Sequence, residues 1–164
     1  MNRRNFLLGG TAVIGGAFAF GPNLSSGGAK AATEETFKIA KTKAEWQQIL
    51  TPQQYRILRE EGTEYAHSSP LLQEKRTGTY NCAGCDLPLY SSKDKYDSGT
   101  GWPSFTKALP NAVGTRKDTK FFMVRTEVHC KRCGGHLGHV FDDGPAPTGK
   151  RHCINGLALK FVEI

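Results

Sequence analysis

The amino-acid sequence predicts a mainly β domain preceded by two short helices that pack against a sheet. The 164 residues include 19 Gly and eight Pro but only two Met, a composition that favours turns and short strands over a helical bundle. Helical patterns are confined to the chain before Gly62, and from Gly78 onward the segments are short and separated by turn residues. With 38% hydrophobic and 23% charged residues, the composition is that of one globular domain with an extra segment. It excludes disorder and a multi-pass membrane protein.

Residues 1–31 have the features of a twin-arginine-type signal peptide. They contain no Asp or Glu, carry Asn2-Arg3-Arg4 directly after Met1, and continue with an uncharged run from Phe6 to Phe20. That run has 15 residues, fewer than the about 20 apolar residues that a membrane-spanning helix needs, so we interpret it as a signal h-region. Lys30 beside the expected cleavage position, after Ala31, is typical of the twin-arginine route. An uncleaved membrane anchor is the alternative.

Export by this route predicts a periplasmic or secreted protein that leaves the cytoplasm already folded and does not stay at the membrane after cleavage. The net charge of +7 is reduced in the mature chain, because the signal holds three of the 22 Lys and Arg and no acid. The remaining excess is small and diffuse. It therefore does not indicate a nucleic-acid partner.

Residues 32–42 are predicted to form a tether, and the first helix follows it. The segment Thr42-Lys43-Ala44-Glu45 fits a capping box. Trp46, Ile49 and Leu50 fall on one face of a helix, which is expected to pack against the sheet.

The second helix is predicted to begin at Thr51-Pro52, because Pro is favoured in the first helical turn. Tyr55 and Leu58 lie three residues apart on its apolar face. Gly62 comes just past its expected end.

The strands are predicted from alternating residues. The segment Phe122–His129 is expected to form a half-buried strand. One face would carry Phe122, Val124, Thr126 and Val128. The other would carry Met123, Arg125, Glu127 and His129. Leu157, Leu159 and Phe161 alternate in the same way near the C-terminus. A further strand is expected to end near Phe141, followed by the turn-rich loop Asp142–Gly149.

Two Cys-x-x-Cys pairs predict a metal site. Cys82-Ala83-Gly84-Cys85 and Cys130-Lys131-Arg132-Cys133 each have the spacing that lets two thiolates bind one tetrahedral ion. Since 44 residues separate the pairs, one shared zinc ion would hold distant segments together. Two disulfides or a rubredoxin-like iron site are the alternatives. Four ligands leave no open position on the ion, so we expect a structural role.

The fifth cysteine, Cys153, is left over from the metal site and is the candidate nucleophile. In an extended segment, Arg151, Cys153 and Asn155 would point to one face. A neighbouring guanidinium is expected to lower the pKa of the thiol and favour the thiolate, and Asn155 is expected to orient the substrate or the thiolate. An inert buried cysteine is the alternative.

Two further clusters accompany this thiol. His136 and His139 are expected to handle protons or make hydrogen bonds, with metal binding or simple burial of polar groups as the other possibilities. The segment from Gly99 to Phe105 is rich in Gly and presents Trp102 and Phe105. It would line a small apolar pocket, unless the two rings belong to the core.

Taken together, these motifs closely resemble the type B methionine sulfoxide reductases, which reduce the R epimer. The resemblance covers residues 43–164 and rests on five ordered motifs. They are Cys82–Cys85, Ser98–Phe105, Cys130–Cys133, His136–Pro145 and Arg151–Asn155. The resemblance implies two antiparallel sheets with short N-terminal helices, clipped by one structural zinc ion. It implies no organic cofactor.

The resemblance also implies roles for individual residues. Cys153 matches the nucleophile, Arg151 and Asn155 match its flanking active-site positions, and Trp102 matches the ring that packs against the substrate methyl group. His136, His139 and Asp143 match polar groups of the pocket. The implied reaction is reduction of methionine (R)-sulfoxide in oxidised proteins or peptides, with attack by the Cys153 thiolate, a proton from His139 or His136, and a sulfenic acid at Cys153.

One position departs from the family pattern. Many members carry a second, resolving cysteine in the loop before Gly-Trp-Pro-Ser-Phe, and here that position is Thr100. We therefore expect a one-Cys cycle, in which an external thiol such as a thioredoxin-like protein attacks the sulfenic acid. We also expect a monomer.

Two other functions fit part of the sequence. An exported zinc-ribbon-like binding module without catalysis would explain the four paired cysteines and the basic excess, but not Cys153 or the two His. An electron-transfer protein would require iron in the cysteine site.

Overall fold

The computed structural model describes residues 35–120 and 123–164. Two α-helices precede all the strands in this part of the chain. The helices are α1 (Lys43–Ile49) and α2 (Pro52–Glu60). The strands are β1 (Gly78–Cys82), β2 (Pro88–Ser91), β3 (Lys95–Tyr96), β4 (Ser104–Phe105), β5 (Val113–Asp118), β6 (Arg125–Cys130), β7 (His136–Phe141), β8 (Arg151–Ile154) and β9 (Leu159–Glu163). None of the helices described is long and apolar enough to cross a membrane.

The strands form two antiparallel sheets. The smaller has the order β2-β1-β9, and the larger has the order β3-β4-β8-β7-β6-β5. The predicted fold class, two antiparallel sheets with short N-terminal helices, is confirmed. The predicted signal peptide, residues 1–31, lies outside the described residues.

Both helices begin where the sequence predicts. The Thr42 hydroxyl accepts from the backbone N–H of Glu45, and the Glu45 carboxylate accepts from the backbone N–H of Thr42 at 2.7 Å. Thr51 and Gln54 make the same reciprocal pair at the start of α2. Trp46 and Leu50 are buried, but Ile49 is 54% exposed. Its placement on the packed face was wrong, because Trp46 and Leu50 enter the core while Ile49, the last residue of α1, faces away from it.

Two neighbouring residues, Glu61 and Gly62, terminate α2. Glu61 adopts the left-handed conformation, with φ of 54°, and Gly62 donates its backbone N–H to the carbonyl of Arg56 at 3.0 Å. A Cβ atom on Gly62 would lie 2.9 Å from that carbonyl oxygen. Glycine is therefore needed here for the close approach, while Glu61 takes the unusual φ.

The segment before α1 contacts the second cysteine pair. Ile39 donates its backbone N–H to the carbonyl of Arg132 at 3.0 Å, and the Phe37 ring meets the ring of His129 edge-on, with centroids 5.6 Å apart. The described part of the predicted tether is thus fastened to the domain by backbone and aromatic contacts.

Strand β6 differs from the prediction. It begins at Arg125; Met123 and Val124 precede it as exposed residues, and Phe122 lies outside the described residues. Glu127 and His129 are buried, at 3% and 0% exposure. The prediction of a half-buried strand was wrong, because Arg116 and His136 contact Glu127 and Phe37 packs on His129, so the face expected to be solvated is covered.

Strand β9 also starts later than predicted. Gly156–Ala158 form a 3-10 turn, so Leu157 precedes the strand and alternation begins at Leu159. Strand β7 ends at Phe141, as predicted.

The core lies between the helices and the sheets. Ile57 and Leu58 of α2 are 2% exposed, and the fully buried ring of Phe105 stacks on Tyr90 with centroids 4.4 Å apart. Tyr80 of the smaller sheet meets Phe105 edge-on at 5.0 Å. These rings join the two sheets and fix the strand that lies beside Cys153.

Candidate active site and metal site

The four paired cysteines converge. Their sulfur atoms all lie within 4.8 Å of one another, with Cys82 to Cys133 at 3.7 Å and Cys85 to Cys130 at 3.5 Å. Tetrahedral zinc with Zn–S bonds of about 2.3 Å would separate its ligands by about 3.8 Å. The geometry and the four thiols therefore fit the predicted structural zinc site.

The cysteine pairs end strands of different sheets. Cys82 closes β1 of the smaller sheet, and Cys130 closes β6 of the larger one. Each Cys-x-x-Cys turn is closed by a backbone hydrogen bond to the carbonyl of its first cysteine. Asp86 donates to Cys82, and Gly134 donates to Cys130, each at 2.9 Å. A zinc ion held here would fasten the two sheets together, as the sequence predicts.

Cys153 belongs to a row of side chains that crosses the larger sheet. Ser104 on β4 pairs with Cys153 on β8, Cys153 pairs with His139 on β7, and His139 pairs with Glu127 on β6. Paired residues of antiparallel strands point to the same face. The sheet register thus brings the predicted nucleophile and one predicted histidine together from distant parts of the chain.

A cavity of about 150 Å³ opens at this row. The liquid volume of one water molecule is about 30 Å³, so the cavity has room for about five waters or one side chain of moderate size. Its lining residues are Thr63, Trp102, Arg125, Gly138, His139, Phe141, Cys153 and Asn155.

The surroundings of Cys153 push its pKa in opposite directions. Burial raises the pKa, whereas the Thr100 hydroxyl, 3.8 Å from the sulfur, and the Arg151 guanidinium lower it. Burial dominates, so the net pKa lies above the ordinary value of 9.0. Arg151 acts in the predicted direction, but the expectation of a lowered pKa was wrong.

Arg151 is held in place from two sides. It donates Nε and Nη2 to the Asp143 carboxylate, both at 2.8 Å, and its guanidinium lies 4.4 Å from the centroid of the Phe141 ring. The Arg151 side chain is 11% exposed, while that of Asp143 is 62% exposed. Asp143 does not line the cavity, so the structure places it as the partner of Arg151.

The two predicted histidines occupy different positions. His139 lines the cavity, and its Nε2 lies 2.8 Å from the Asp118 carboxylate. Burial lowers the pKa of His139, although the Asp118 hydrogen bond opposes this shift. Since a carboxylate only accepts, Nε2 carries the proton, and in the neutral ring Nδ1 is free to accept one.

His136 lies behind His139, with ring centroids 5.5 Å apart, and does not line the cavity. Its Nδ1 donates to the buried Glu127 carboxylate at 2.7 Å, and Arg116 binds the same carboxylate. Burial raises the pKa of Glu127, but His136 and Arg116 outweigh it and hold that pKa below its usual value. His136 therefore supports the site from behind His139, outside the cavity.

Trp102 and Asn155 are fixed by the same residue, Glu64. The Trp102 indole donates to the backbone carbonyl of Glu64 at 3.2 Å, and the Asn155 side-chain oxygen accepts from the Glu64 backbone N–H at 3.0 Å. The Glu64 carboxylate accepts from the N–H groups of Gly156 at 2.6 Å and Leu157 at 2.9 Å. The predicted positions of Trp102 and Asn155 at the cavity are thus set by a buried acid.

Phe105 is the one predicted substrate-binding residue that the structure removes from the site. Because Ser104 points toward Cys153, the next residue of β4 points to the opposite face. Phe105 is fully buried there against Tyr80 and Tyr90. Its assignment to the pocket was wrong, and it belongs to the core.

Comparison with known proteins agrees with this arrangement. Residues 50–163 match the family described as "SelR domain". The chain belongs to the type B methionine sulfoxide reductase family. It is 57% identical over 122 residues to a peptide methionine sulfoxide reductase MsrB of Thiobacillus denitrificans, covering 74% of this chain and 92% of the relative. It is 52% identical over 124 residues to the protein of that name from Methanosarcina barkeri, covering 75% of this chain and 87% of the relative. It is 47% identical over 158 residues to human mitochondrial methionine-R-sulfoxide reductase B2, covering 92% of this chain and 87% of the relative.

In this type B methionine sulfoxide reductase, sequence reasoning gave no role to four residues that build the site. They are Glu64, Asp118, Arg125 and Glu127. Asp118 binds His139 and also accepts from Arg125 at 2.6 Å. Glu64 and Asp118 contact residues that are distant in sequence, whereas Arg125 and Glu127 contact residues within nine positions and lie on one alternating strand face.

Proposed function

We propose that this chain reduces methionine (R)-sulfoxide in oxidised proteins and peptides to methionine, with Cys153 as the nucleophile. The observation that carries the proposal is the position of the fifth thiol. Four thiols form the zinc site, while Cys153 lines a cavity of one side chain's size beside Trp102 and His139. A binding module without catalysis would have no use for this thiol.

The protonation of the two central groups suits the chemistry. Cys153 has a raised pKa and is held as the thiol, while His139 has a lowered pKa and is neutral with Nδ1 able to accept. His139 takes the thiol proton as the sulfur attacks and returns it to the sulfoxide oxygen, which makes the substrate sulfur electrophilic. The sulfur–oxygen bond of the substrate breaks, a bond between the Cys153 sulfur and oxygen forms, and methionine leaves a sulfenic acid.

The wall of the cavity accounts for the other roles. Trp102 supplies the aromatic surface for the substrate methyl group, and Asn155 is fixed in the cavity lining by its bonds to Glu64 and Leu137. Arg151 adds positive charge near the thiolate as it forms, held by Asp143 and assisted by the Thr100 hydroxyl.

Zinc stabilises the scaffold and takes no part in the reaction, since the four thiols fill its coordination.

The oxidised enzyme returns to the thiol through an external reductant. The remaining four cysteines belong to the zinc site, and the Gly-rich loop places Thr100, not a thiol, 3.8 Å from the Cys153 sulfur. A thiol of the reductant, such as a thioredoxin-like protein, attacks the sulfenic acid, forms a mixed disulfide and releases water. A second thiol then displaces Cys153. The enzyme works as a monomer in this cycle.

The activity is tested with peptides that contain one methionine sulfoxide, resolved into the R and S epimers, with dithiothreitol as reductant. Reduction of the R epimer alone is expected. Turnover of the S epimer, or of neither epimer by protein with full zinc content, would contradict the proposal.

We also propose that the protein is exported by the twin-arginine pathway. The paired arginines, the short uncharged run and the Ala29-Lys30-Ala31 segment support this. Replacing both arginines, Arg3→Lys and Arg4→Lys, should retain the protein in the cytoplasm as the uncleaved precursor. Export of the double variant at the normal level would contradict it.

A further inference from the structure

Arg125 lines the cavity that contains Cys153, from a strand position next to the reactive row of side chains. On β6 it stands two residues before Glu127, so both side chains point to the same face of the larger sheet. At a rise of about 3.4 Å per residue, it lies about 7 Å along the strand from the row that joins Glu127, His139 and Cys153. The long Arg125 side chain therefore borders the same space as the predicted nucleophile and its histidine.

The Arg125 guanidinium is only partly engaged by the protein. Its Nη2 donates to the Asp118 carboxylate at 2.6 Å, which fixes one edge of the group. Its Nε is buried and has no hydrogen-bond partner among the residues that the structure describes. Because buried polar atoms in proteins are nearly always paired, a buried N–H on a residue that lines a cavity points to an acceptor on the ligand.

The other nitrogen-bearing side chains of the lining already donate to the protein. The Trp102 indole donates to the carbonyl of Glu64, and His139 donates its Nε2 proton to Asp118. Asn155 gives one amide N–H to a backbone carbonyl. Among the described residues that line this cavity, the guanidinium is the one permanently charged group.

A sulfoxide oxygen is the acceptor that suits this N–H. It carries no proton, and it gains negative charge as the Cys153 sulfur attacks and the sulfur–oxygen bond of the substrate breaks. A guanidinium keeps its protons at ordinary pH, so it can stabilise that charge by a hydrogen bond without delivering a proton. The proton still has to come from another group, which is His139 in the proposed function.

We propose that Arg125, held in place by Asp118, binds the sulfoxide oxygen through its Nε–H and stabilises the charge on that oxygen while His139 delivers the proton. This inference rests on the proposed function, because it assumes that the cavity receives the sulfoxide. It makes Arg125 a catalytic residue and assigns oxygen binding and proton transfer to two different side chains. It also makes the cavity selective for the sulfoxide over the reduced product, which has no oxygen to accept the bond.

The selectivity for the oxygen is tested by calorimetric titration of two blocked tripeptides into Cys153→Ser protein, in which the nucleophile is absent. One peptide carries methionine (R)-sulfoxide between two alanines, and the other carries methionine at the same position. Arg125→Met removes the guanidinium, while Arg125→Lys removes Nε–H but keeps a positive charge for Asp118. Arg76→Met is the matched control, because Arg76 is also bound to a carboxylate but does not line this cavity.

The Cys153→Ser protein is expected to bind the sulfoxide peptide more tightly than the methionine peptide. Adding Arg125→Met or Arg125→Lys should each weaken binding of the sulfoxide peptide by about tenfold, the order for a hydrogen bond to a charged group, and leave the methionine peptide unchanged. Equal affinity for both peptides before Arg125 is changed, equal losses for both, or full sulfoxide affinity in either Arg125 variant would overturn the inference. Failure of the wild type to reduce the sulfoxide peptide would instead contradict the proposed function.

Discussion

The hydroxyl oxygen of Thr100 lies 3.8 Å from the sulfur of Cys153. It ends a chain of hydroxyl groups that runs from Ser104 through Ser98, with oxygen distances of 2.7 Å and 2.9 Å. Where a thiol at this position could form a disulfide with an oxidised Cys153, Thr100 can only offer a hydrogen bond. The contact thus lowers the pKa of the nucleophile and leaves its sulfenic acid to an external thiol.

The Thr100→Cys variant is therefore expected to gain an internal disulfide with Cys153 after one turnover with methionine (R)-sulfoxide. Mass spectrometry after digestion would detect the linked peptides, and dimedone would no longer label Cys153. The wild type should be labelled by dimedone in the same experiment. An internal disulfide of Cys153 in the wild type would contradict the one-Cys cycle.

The reactivity of Cys153 should increase with pH beyond the ordinary range of a thiol. Since burial holds its pKa above 9.0, the rate of alkylation by iodoacetamide should rise with a midpoint above that pH. Removing the positive charge with Arg151→Met should raise the midpoint further. A midpoint below 9.0 in the wild type, or no change in the variant, would show that burial and Arg151 do not control the thiol.

Glu127 stabilises the fold through the hydrogen bonds that its buried carboxylate accepts from His136 and Arg116. Glu127→Gln should lower the free energy of unfolding at pH 7 by about 2 kcal/mol, the order for a hydrogen bond to a charged group. The folded-state pKa of Glu127 is lowered, so its contribution is present above the unfolded pKa, near 4.5, and is lost as the pH falls through the folded pKa. Urea unfolding of wild type and variant should therefore differ at pH 7 and converge in acid. A constant difference at all pH values would rule out the ionised carboxylate as its source.

Zinc should stabilise the domain without entering the reaction. Cys85→Ser is expected to lose zinc and to lower the Tm by more than about 10 °C, because the two sheets are no longer fastened together. Cys153→Ser should keep one zinc ion per chain and melt near the wild-type temperature. Metal analysis and calorimetry make the comparison, and an unchanged Tm in Cys85→Ser would contradict the structural role.

The sequence was sufficient to predict the parts of the site that depend on short spacing. The two Cys-x-x-Cys pairs each specify a knuckle, and the alternation in β8 places Arg151 and Cys153 on one face. The capping boxes likewise set the first residues of both helices, because their bonds span only three residues.

Long-range partners could not be predicted in the same way. Asp118 and Glu127 reach the histidines through the pairing of β5, β6 and β7, and the register shifts within β6 between Val128 and His129. Phe105 was misassigned because it is close to Trp102 in sequence, yet its strand turns it into the core. The net pKa of Cys153 depended on burial, which the neighbouring residues in sequence do not determine.

The most direct test of the account is a single-turnover experiment on Cys153→Ser and wild type with both epimers of a methionine sulfoxide peptide, in the absence of added reductant. The wild type should produce about one equivalent of methionine from the R epimer and a sulfenic acid at Cys153, whereas the variant, with its zinc retained, should produce none. Methionine formed by Cys153→Ser at the wild-type level would contradict the assignment of Cys153 as the nucleophile.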